Sequence, residues 1–201
     1  MAADIISKGE RTSRAIIDAA YALIVEQGYA ATSMRQIAEK AGLSLGAIYN
    51  HFSSKDEVFR AILEVRHPFF QIVPLLNSAK GESIEEFARS AAHTLIAELG
   101  HHPEFLNLLL IEIVEFKGEH VPRVFEKMLP MILQLAQRLS NLEGNVREIP
   151  QLVLVRAFMG MFFSYFITET LLSRTALVEM QSNALDHFVD IFLHGILLEK
   201  G

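Results

Sequence analysis

The sequence contains no cysteine and no tryptophan, and only six of its 201 residues are proline. Without cysteine there is no disulfide framework, no thiolate nucleophile and no Cys-ligated metal, which suits a reducing compartment. A disordered chain is excluded, because hydrophobic residues make up 51% of the sequence. The length is sufficient to bury a core as one large domain or two small ones.

Long hydrophobic runs are also missing. The most apolar stretch, between Arg156 and Glu169, holds 12 uncharged residues, whereas a helix that spans a membrane needs about 20. The first ten residues contain Asp4, Lys8 and Glu10 and have no apolar core, so they do not resemble a signal peptide. We therefore expect a cytoplasmic protein with no membrane partner, in which the 156–169 stretch forms a buried helix.

Acidic residues exceed basic ones by 24 to 18, which gives a net charge of −6. For the whole chain this balance argues against nucleic-acid binding. The excess is uneven, however, because residues 1–66 hold eight residues of each sign. All of the surplus acidity, together with 12 of the 14 phenylalanines, lies in residues 67–201. The pattern indicates a small neutral module followed by a larger, acidic and aromatic-rich one.

Helical periodicity runs through the whole sequence, and no stretch sustains the alternation of a strand. Serines are well placed to cap several helices, and Gly28 and Gly42 to end the first two. We therefore expect an all-α fold of about nine helices. Their expected starting points are residues 12, 33, 45, 55, 84, 103, 122, 150 and 178.

The functional signal lies in residues 32–58, TSMRQIAEKAGLSLGAIYNHFSSKDEV. They fit two short helices joined by a tight turn at Ala41-Gly42-Leu43. This is a helix-turn-helix, whose second helix can enter a major groove of DNA. At about 100° per residue, Ile48 and Phe52 share the inward face of that second helix.

The opposite face of the second helix is small and polar. It presents Gly46, Ala47 and Asn50, with Tyr49 and His51 at its flanks, where they are placed for phosphate oxygens. Gly46 costs about 0.5–1 kcal/mol inside a helix relative to alanine, and close approach to DNA supplies a reason for it. Lys55 begins the next helix, where its charge and the free backbone N–H groups are suited to a phosphate.

This segment resembles the DNA-binding domain of TetR-type transcriptional repressors over roughly residues 11–60. The matching positions are Ile37-Ala38, Ala41-Gly42-Leu43-Ser44, Gly46, Ile48-Tyr49, His51-Phe52 and Lys55-Asp56. The resemblance implies a three-helix helix-turn-helix domain in residues 1–55 and a linking helix at about 55–73. Residues 67–201 are then a larger helical domain for effector binding and dimerisation. The protein would be bacterial, cytoplasmic and associated with the nucleoid.

The resemblance also assigns contacts with double-stranded operator DNA. The positions that match are Arg35, Ser44, Leu45, Gly46, Ala47, Tyr49, Asn50, His51 and Lys55. Leu45 and Ala47 replace polar residues that many members carry, and apolar side chains can contact only thymine methyl groups. Base readout therefore depends on Arg35 and Asn50, and we expect DNA shape to supply the remainder.

The last two long helices form the dimer interface in such proteins. Here the apolar positions assigned to it are Val155, Met159, Phe163, Phe188, Ile191, Phe192 and Gly195. A homodimer would place two recognition helices roughly 34–36 Å apart, which fits a palindromic operator.

A small-molecule effector is the third expected partner. Glu112 and Glu115 lie three residues apart in an apolar run, and buried carboxylates need partners. The residues assigned to the effector site are Phe87, His93, Glu112, Glu115, Phe162 and Phe166. The abundance of phenylalanine, methionine and leucine favours an apolar or aromatic ligand.

Enzymatic activity is not expected. His187 and His194 are about 10.5 Å apart along a helix, too far for one metal ion, and no nucleophilic or phosphate-binding motif is present. We expect no cofactor and no metal. Two alternatives remain open: a family member controlled by a protein partner or acting without an effector, and a dimeric binding module that lacks DNA binding.

Overall fold

The computed structural model describes residues 7–102, 104–144, 146–172 and 183–197. Within these ranges the regular elements are helices, with two isolated bridges and no strand. The predicted all-α fold is thus confirmed. In chain order the helices are α1 Lys8–Gln27, α2 Met34–Ala41, α3 Leu45–Tyr49, α4 Lys55–Arg66, α5 Phe69–Asn77, α6 Ile84–Gly100, α7 Phe105–Glu115, α8 Val121–Leu139, α9 Gln151–Leu172 and α10 Ala184–Ile196.

Serine side chains begin half of these helices. Each serine oxygen accepts a backbone N–H from the first turn, which satisfies one of the donors that a helix start leaves free. The capping serines are Ser7, Ser33, Ser44, Ser54 and Ser83. Helix α1 begins four residues earlier than expected, because Ser7 and Glu10 form a reciprocal capping box. The expected final helix, 178–198, lies partly outside the described residues.

The predicted linking helix at about 55–73 is divided in two. Helix α4 ends at Arg66, and His67 is extended with φ −63° and ψ 120°. The cause is Pro68, since a proline disfavours helical backbone at the residue before it. Helix α5 then begins at Phe69 and continues through Pro74.

Helix α9 is less buried than the sequence suggests. Its buried side chains recur every three or four residues and are Leu154, Val155, Phe158, Phe162 and Phe166. The opposite side is exposed in the single chain, with Val153 52% and Leu171 70% accessible. By length and composition alone this is the one described helix that could cross a membrane. Arg156 and Glu169 interrupt its apolar sequence.

The described residues cluster into two compact units. The first unit comprises the residues up to His67 together with Glu104–Val124, so α7 and the start of α8 pack with α1–α4. The second unit comprises the described residues from Pro68 to 102 and from Phe125 onwards. Its core is built from α5, α6, α9 and α10. The functional boundary near residues 55–67 stays a prediction.

Candidate nucleic-acid interface

Helices α2 and α3 are joined by the tight turn that the sequence predicts. Gly42 takes the left-handed conformation with φ 68° and ψ 31°, and its N–H donates to the last carbonyls of α2. Glycine adopts this conformation without the steric penalty of a Cβ. Below the turn, Ile37 and Ile48 are fully buried and Phe52 is nearly so. This small core fixes the direction in which the outer face of α3 points.

The outer face of α3 carries large side chains that are exposed in the described part of the chain. Leu45 is 41% and Tyr49 is 51% exposed, and Gly46 and Asn50 are exposed beside them. A Cβ added at Gly46 would meet no atom within 4 Å. Packing within the chain therefore gives no reason for a glycine there, whereas close approach of another molecule does.

Polar groups border this face on both sides. Arg35 on α2 is paired with Glu39 at 3.1 Å, and its side chain is 81% exposed. Such an exposed pair contributes little stability, so the guanidinium can exchange its partner for a DNA base or phosphate. Ser44 caps α3 by accepting the N–H of Ala47 at 3.2 Å, and His51 is half-buried.

Lys55 makes contacts within the chain that the sequence does not predict. Its Nζ donates to the carbonyl oxygens of Tyr29 at 2.7 Å and Thr32 at 2.8 Å, and lies 4.0 Å from the centre of the Tyr29 ring. Burial lowers the pKa of Lys55, against the opposing effect of Glu115. Its predicted role as a phosphate contact stays a prediction, and the structure adds a role in holding the α1–α2 loop.

Tyr29 is the centre of this loop and of an aromatic cluster. Its ring meets Phe59 at 5.3 Å and Phe116 at 5.1 Å between centroids, both edge to face, and Phe59 stacks on Phe116 at 5.0 Å. Burial, reinforced by the charges of Asp56 and Glu115, raises the pKa of Tyr29 to about 12. These contacts join α4 to the end of α7 within the first unit.

The buried carboxylate of Glu112, predicted to need a partner, has one within the chain. Both of its oxygens contact His120, one through the backbone N–H and the other through Nδ1, each at 2.8 Å. His120 Nε2 lies 3.3 Å from Asp56 Oδ1 on α4. No sequence signal singled out His120, because its partners lie 8 and 64 positions away. Both Glu112 oxygens are thus hydrogen-bonded within the first unit, and the predicted role of Glu112 in effector binding stays a prediction.

The other end of α7 is also tied to the first unit. The His67 ring packs edge to face on Phe105 at 5.3 Å, and burial lowers the pKa of His67 to about 4. Arg66 pairs with Asp18 and lies over the Tyr21 ring. Helix α7 is therefore held at both ends to the elements that carry α2 and α3.

Comparison with known proteins identifies this arrangement. The family model described as "Bacterial regulatory proteins, tetR family" matches residues 16–62, which span α1 to α4. Residues 16–62 form a TetR-family DNA-binding domain. The chain thus carries the helix-turn-helix domain of a transcriptional regulator, as the sequence predicted, and the proteins similar to it are regulators rather than enzymes.

Similar proteins extend the likeness beyond the DNA-binding domain. The uncharacterized HTH-type transcriptional regulator YvkB of Bacillus subtilis is 26% identical over 187 residues, which cover 92% of this chain and 97% of YvkB. A crystal structure from Mesorhizobium loti MAFF303099, assigned to the TetR family, is 26% identical with a TM-score of 0.71, covering 96% of this chain and all of that one. A SmeT–triclosan complex matches at 22% identity and a TM-score of 0.64, over 94% and 93% of the two chains.

The predicted effector residues lie in different places. Phe87 lines an apolar cavity in the second unit, of about 30 Å³. Phe162 and Phe166 are buried in α9, and His93 contacts Asp186 at 3.1 Å. Glu112 is paired as described, and Glu115 is exposed. Of the six, the structure brings only Phe87 to this cavity.

The predicted dimer residues divide by exposure. Ile191 and Gly195 on α10 are exposed, whereas Met159, Phe163 and Phe188 are half-buried. Val155 and Phe192 are instead buried within the chain, where both line the cavity of the second unit. An interface on α9 and α10 would therefore be formed by their exposed neighbours rather than by these two side chains.

Proposed function

We propose that this protein is a cytoplasmic homodimeric repressor that binds a palindromic operator and is released from it by a small, apolar or aromatic effector. The observation that carries the DNA-binding surface is the outer face of α3, where Leu45 and Tyr49 are exposed beside Gly46. Asn50 and Arg35 are the groups on this surface able to read base edges. Tyr49 and His51 supply contacts with the backbone phosphates.

Gly46→Ala tests this surface with a very small change. We expect operator affinity to fall about tenfold, the equivalent of one strained or lost contact, because the new methyl group would stand between α3 and the bases. The unfolding free energy should stay unchanged or rise by about 0.5–1 kcal/mol, as for glycine to alanine in a helix. Fluorescence anisotropy with labelled operator and urea unfolding measure the two quantities.

Gly100→Ala at the end of α6 is the matched control, since a Cβ there also meets no atom within 4 Å. It should leave DNA binding unchanged. If Gly46→Ala binds the operator as tightly as the wild type, α3 does not approach the bases with this face.

A second copy of the chain is the proposed cover for α9. The exposed side of α9 includes Ala157, Gly160 and Ser164, small residues that recur every three or four positions. On α10, Ile191 is 61% exposed, and Gly195, four residues and about one turn further on, is also exposed. A Cβ at Gly160 or Gly195 would meet nothing in the chain. Such surfaces allow helices of two subunits to pack closely.

The cavity of the second unit supports the effector proposal. It is lined only by apolar side chains, contributed by α5, α6, α8, α9 and α10, and these are Leu76, Ile84, Phe87, Ala88, Ala91, Leu135, Leu139, Leu154, Val155, Phe158, Phe192 and Ile196. Its 30 Å³ is room for one or two water molecules. An effector must therefore displace side chains as it enters, and movement of the surrounding helices is the expected consequence. The SmeT structure of similar fold is a complex with triclosan.

Ala91→Leu tests the cavity by filling it. Ala91 is buried on α6 and lines the cavity, so the larger side chain should occupy the space at a cost of about 1–3 kcal/mol in stability. With triclosan as the probe, we expect its stabilisation of the wild type in a thermal melt to be lost in the variant, with operator binding retained. Ala97→Leu, the same change at an exposed position of α6, should behave as the wild type. Equal stabilisation of Ala91→Leu and wild type would place the ligand elsewhere.

A further inference from the structure

His120 lies between two carboxylates that belong to different helices of the first unit. It is 6% exposed. Its Nδ1 is 2.8 Å from Glu112 Oε2 on α7, and its Nε2 is 3.3 Å from Asp56 Oδ1 on α4. The backbone N–H of the same residue donates to the second oxygen of Glu112. We call this Glu112–His120–Asp56 arrangement the His120 bridge.

The turn after α7 is shaped to place His120 on Glu112. Lys117 has φ 53° and Gly118 has φ 82°, and the N–H of Gly118 donates to the carbonyl of Glu112 at 3.1 Å. A non-glycine residue with positive φ is uncommon. Lys117 and Gly118 turn the chain back, so that His120 contacts Glu112 on α7, the helix that precedes the turn.

The chemistry of the bridge depends on the protons of the ring. An ionised carboxylate only accepts hydrogen bonds, and a neutral imidazole has one donor nitrogen and one acceptor nitrogen. Only the doubly protonated ring can donate to Glu112 and Asp56 together. A neutral ring with its proton on Nδ1 keeps the shorter, buried contact with Glu112 and presents a lone pair to Asp56, so that contact is lost.

Of the two carboxylates in the bridge, Asp56 is the one whose contact with His120 can be made or lost. From α7 the ring faces Glu112, and from α4 it faces Asp56 and the Phe59 ring, 6.2 Å away. Phe116 packs against it at 4.7 Å. The neighbouring charged and titratable groups are Glu115, Tyr29 and Lys55, and the charges of Asp56 and Glu115 both act on Tyr29. Glu112 is enclosed, whereas the Asp56 side chain is 54% exposed.

Asp56 follows Lys55, the residue that holds the loop between α1 and α2. We propose that His120 is a positioning residue whose Nε2 proton fixes the first turn of α4, and through it the helix-turn-helix, in the arrangement that binds operator. The readout by operator binding rests on the proposed function, whereas the bridge itself can be observed without DNA. Proton loss from the ring then weakens binding by removing one contact of the first turn of α4, beside those made by Ser54 and Lys55.

The test compares the wild type with Asp56→Asn and with Glu119→Gln, an exposed carboxylate next to His120, between pH 5.5 and 8.5. Because an asparagine amide can donate to the unprotonated Nε2, Asp56→Asn should bind operator with a flatter pH profile. We expect the wild type to lose about threefold to fivefold more affinity than Asp56→Asn over this range, as for one modest ion pair. Glu119→Gln should follow the wild type, and the contribution of His51 at the DNA surface is common to all three.

Ring ¹⁵N spectra of the protein without DNA report the protons of His120 directly. They therefore distinguish a wrong account of the bridge from a wrong proposed function. Under conditions where the wild type binds operator tightly, both ring nitrogens of His120 should carry protons, and where binding weakens only Nδ1 should. The Nε2 proton should be lost at a lower pH in Asp56→Asn than in the wild type. Loss at the same pH in both proteins, or identical pH profiles of operator binding, would overturn the proposal. A protein that binds no operator but shows the ring behaviour would refute the function and leave the bridge standing.

Discussion

Replacing Gly160 by arginine is expected to produce a monomer and to weaken operator binding by about 100-fold or more, since one recognition helix then contacts one half-site. Gly160 lies on the exposed side of α9, and the space beyond its Cα contains no atom of its own chain within 4 Å of an added Cβ. The Cβ of the arginine therefore meets no neighbouring side chain among the described residues of its own subunit. It would place a large charged side chain where a partner helix is proposed to pack.

Sedimentation velocity measures the oligomeric state, and anisotropy with labelled operator measures binding. Ala97→Arg introduces the same side chain at an exposed position of α6. This variant should remain dimeric and bind operator with normal affinity. Urea unfolding of Gly160→Arg should show a folded protein with its helical content preserved. A dimer of unchanged affinity in this variant would exclude the α9 surface from the interface.

The second large effect is expected from Lys55→Met, which should lower the unfolding free energy by about 3 kcal/mol or more. Two charge-assisted hydrogen bonds to backbone carbonyls are lost, each worth about 1.5 kcal/mol or more. Thr32, whose carbonyl accepts one of them, is buried, so a desolvated acceptor is left without its donor. Methionine retains most of the aliphatic packing against Tyr29, which confines the change to the ammonium group.

Urea unfolding measures the loss of stability. The salt dependence of operator binding shows whether Lys55 also contacts a DNA phosphate. If Lys55 only holds the loop between α1 and α2, the variant should bind all sequences more weakly with the slope of log affinity against log salt unchanged. If Lys55 also neutralises a phosphate, the slope should fall by about 1. Normal stability with a lower slope would show that the contacts of Lys55 within the chain do not contribute to the free energy of unfolding.

The helix-turn-helix was predictable because its signals are local. Ser33 and Ser44 each cap a helix by accepting an N–H three residues further on, and Gly42 itself forms the turn. The inward position of Ile48 follows from helical spacing. The linking helix at about 55–73, in contrast, was expected to run through Pro68, where the structure divides it.

The contacts that hold the first unit together were not predictable in the same way. Lys55 meets carbonyls 26 and 23 positions earlier, and His120 meets Asp56 across 64 positions. No period or capping rule brings these residues together, because tertiary packing decides which distant groups meet. The association of α7 with the DNA-binding helices has the same origin. Its apolar run was attributed to the effector domain, whereas Phe105 and Phe116 pack in the first unit.

Selection of DNA from a random duplex library tests the central claim most directly. The wild type should enrich an inverted repeat whose half-site centres lie about one helical turn apart, roughly 34–36 Å. Gly160→Arg should enrich at most a single half-site under the same conditions. Enrichment of a sequence without two-fold symmetry by the wild type, or of no sequence at all, would contradict a dimeric regulator that reads its operator through two copies of α3.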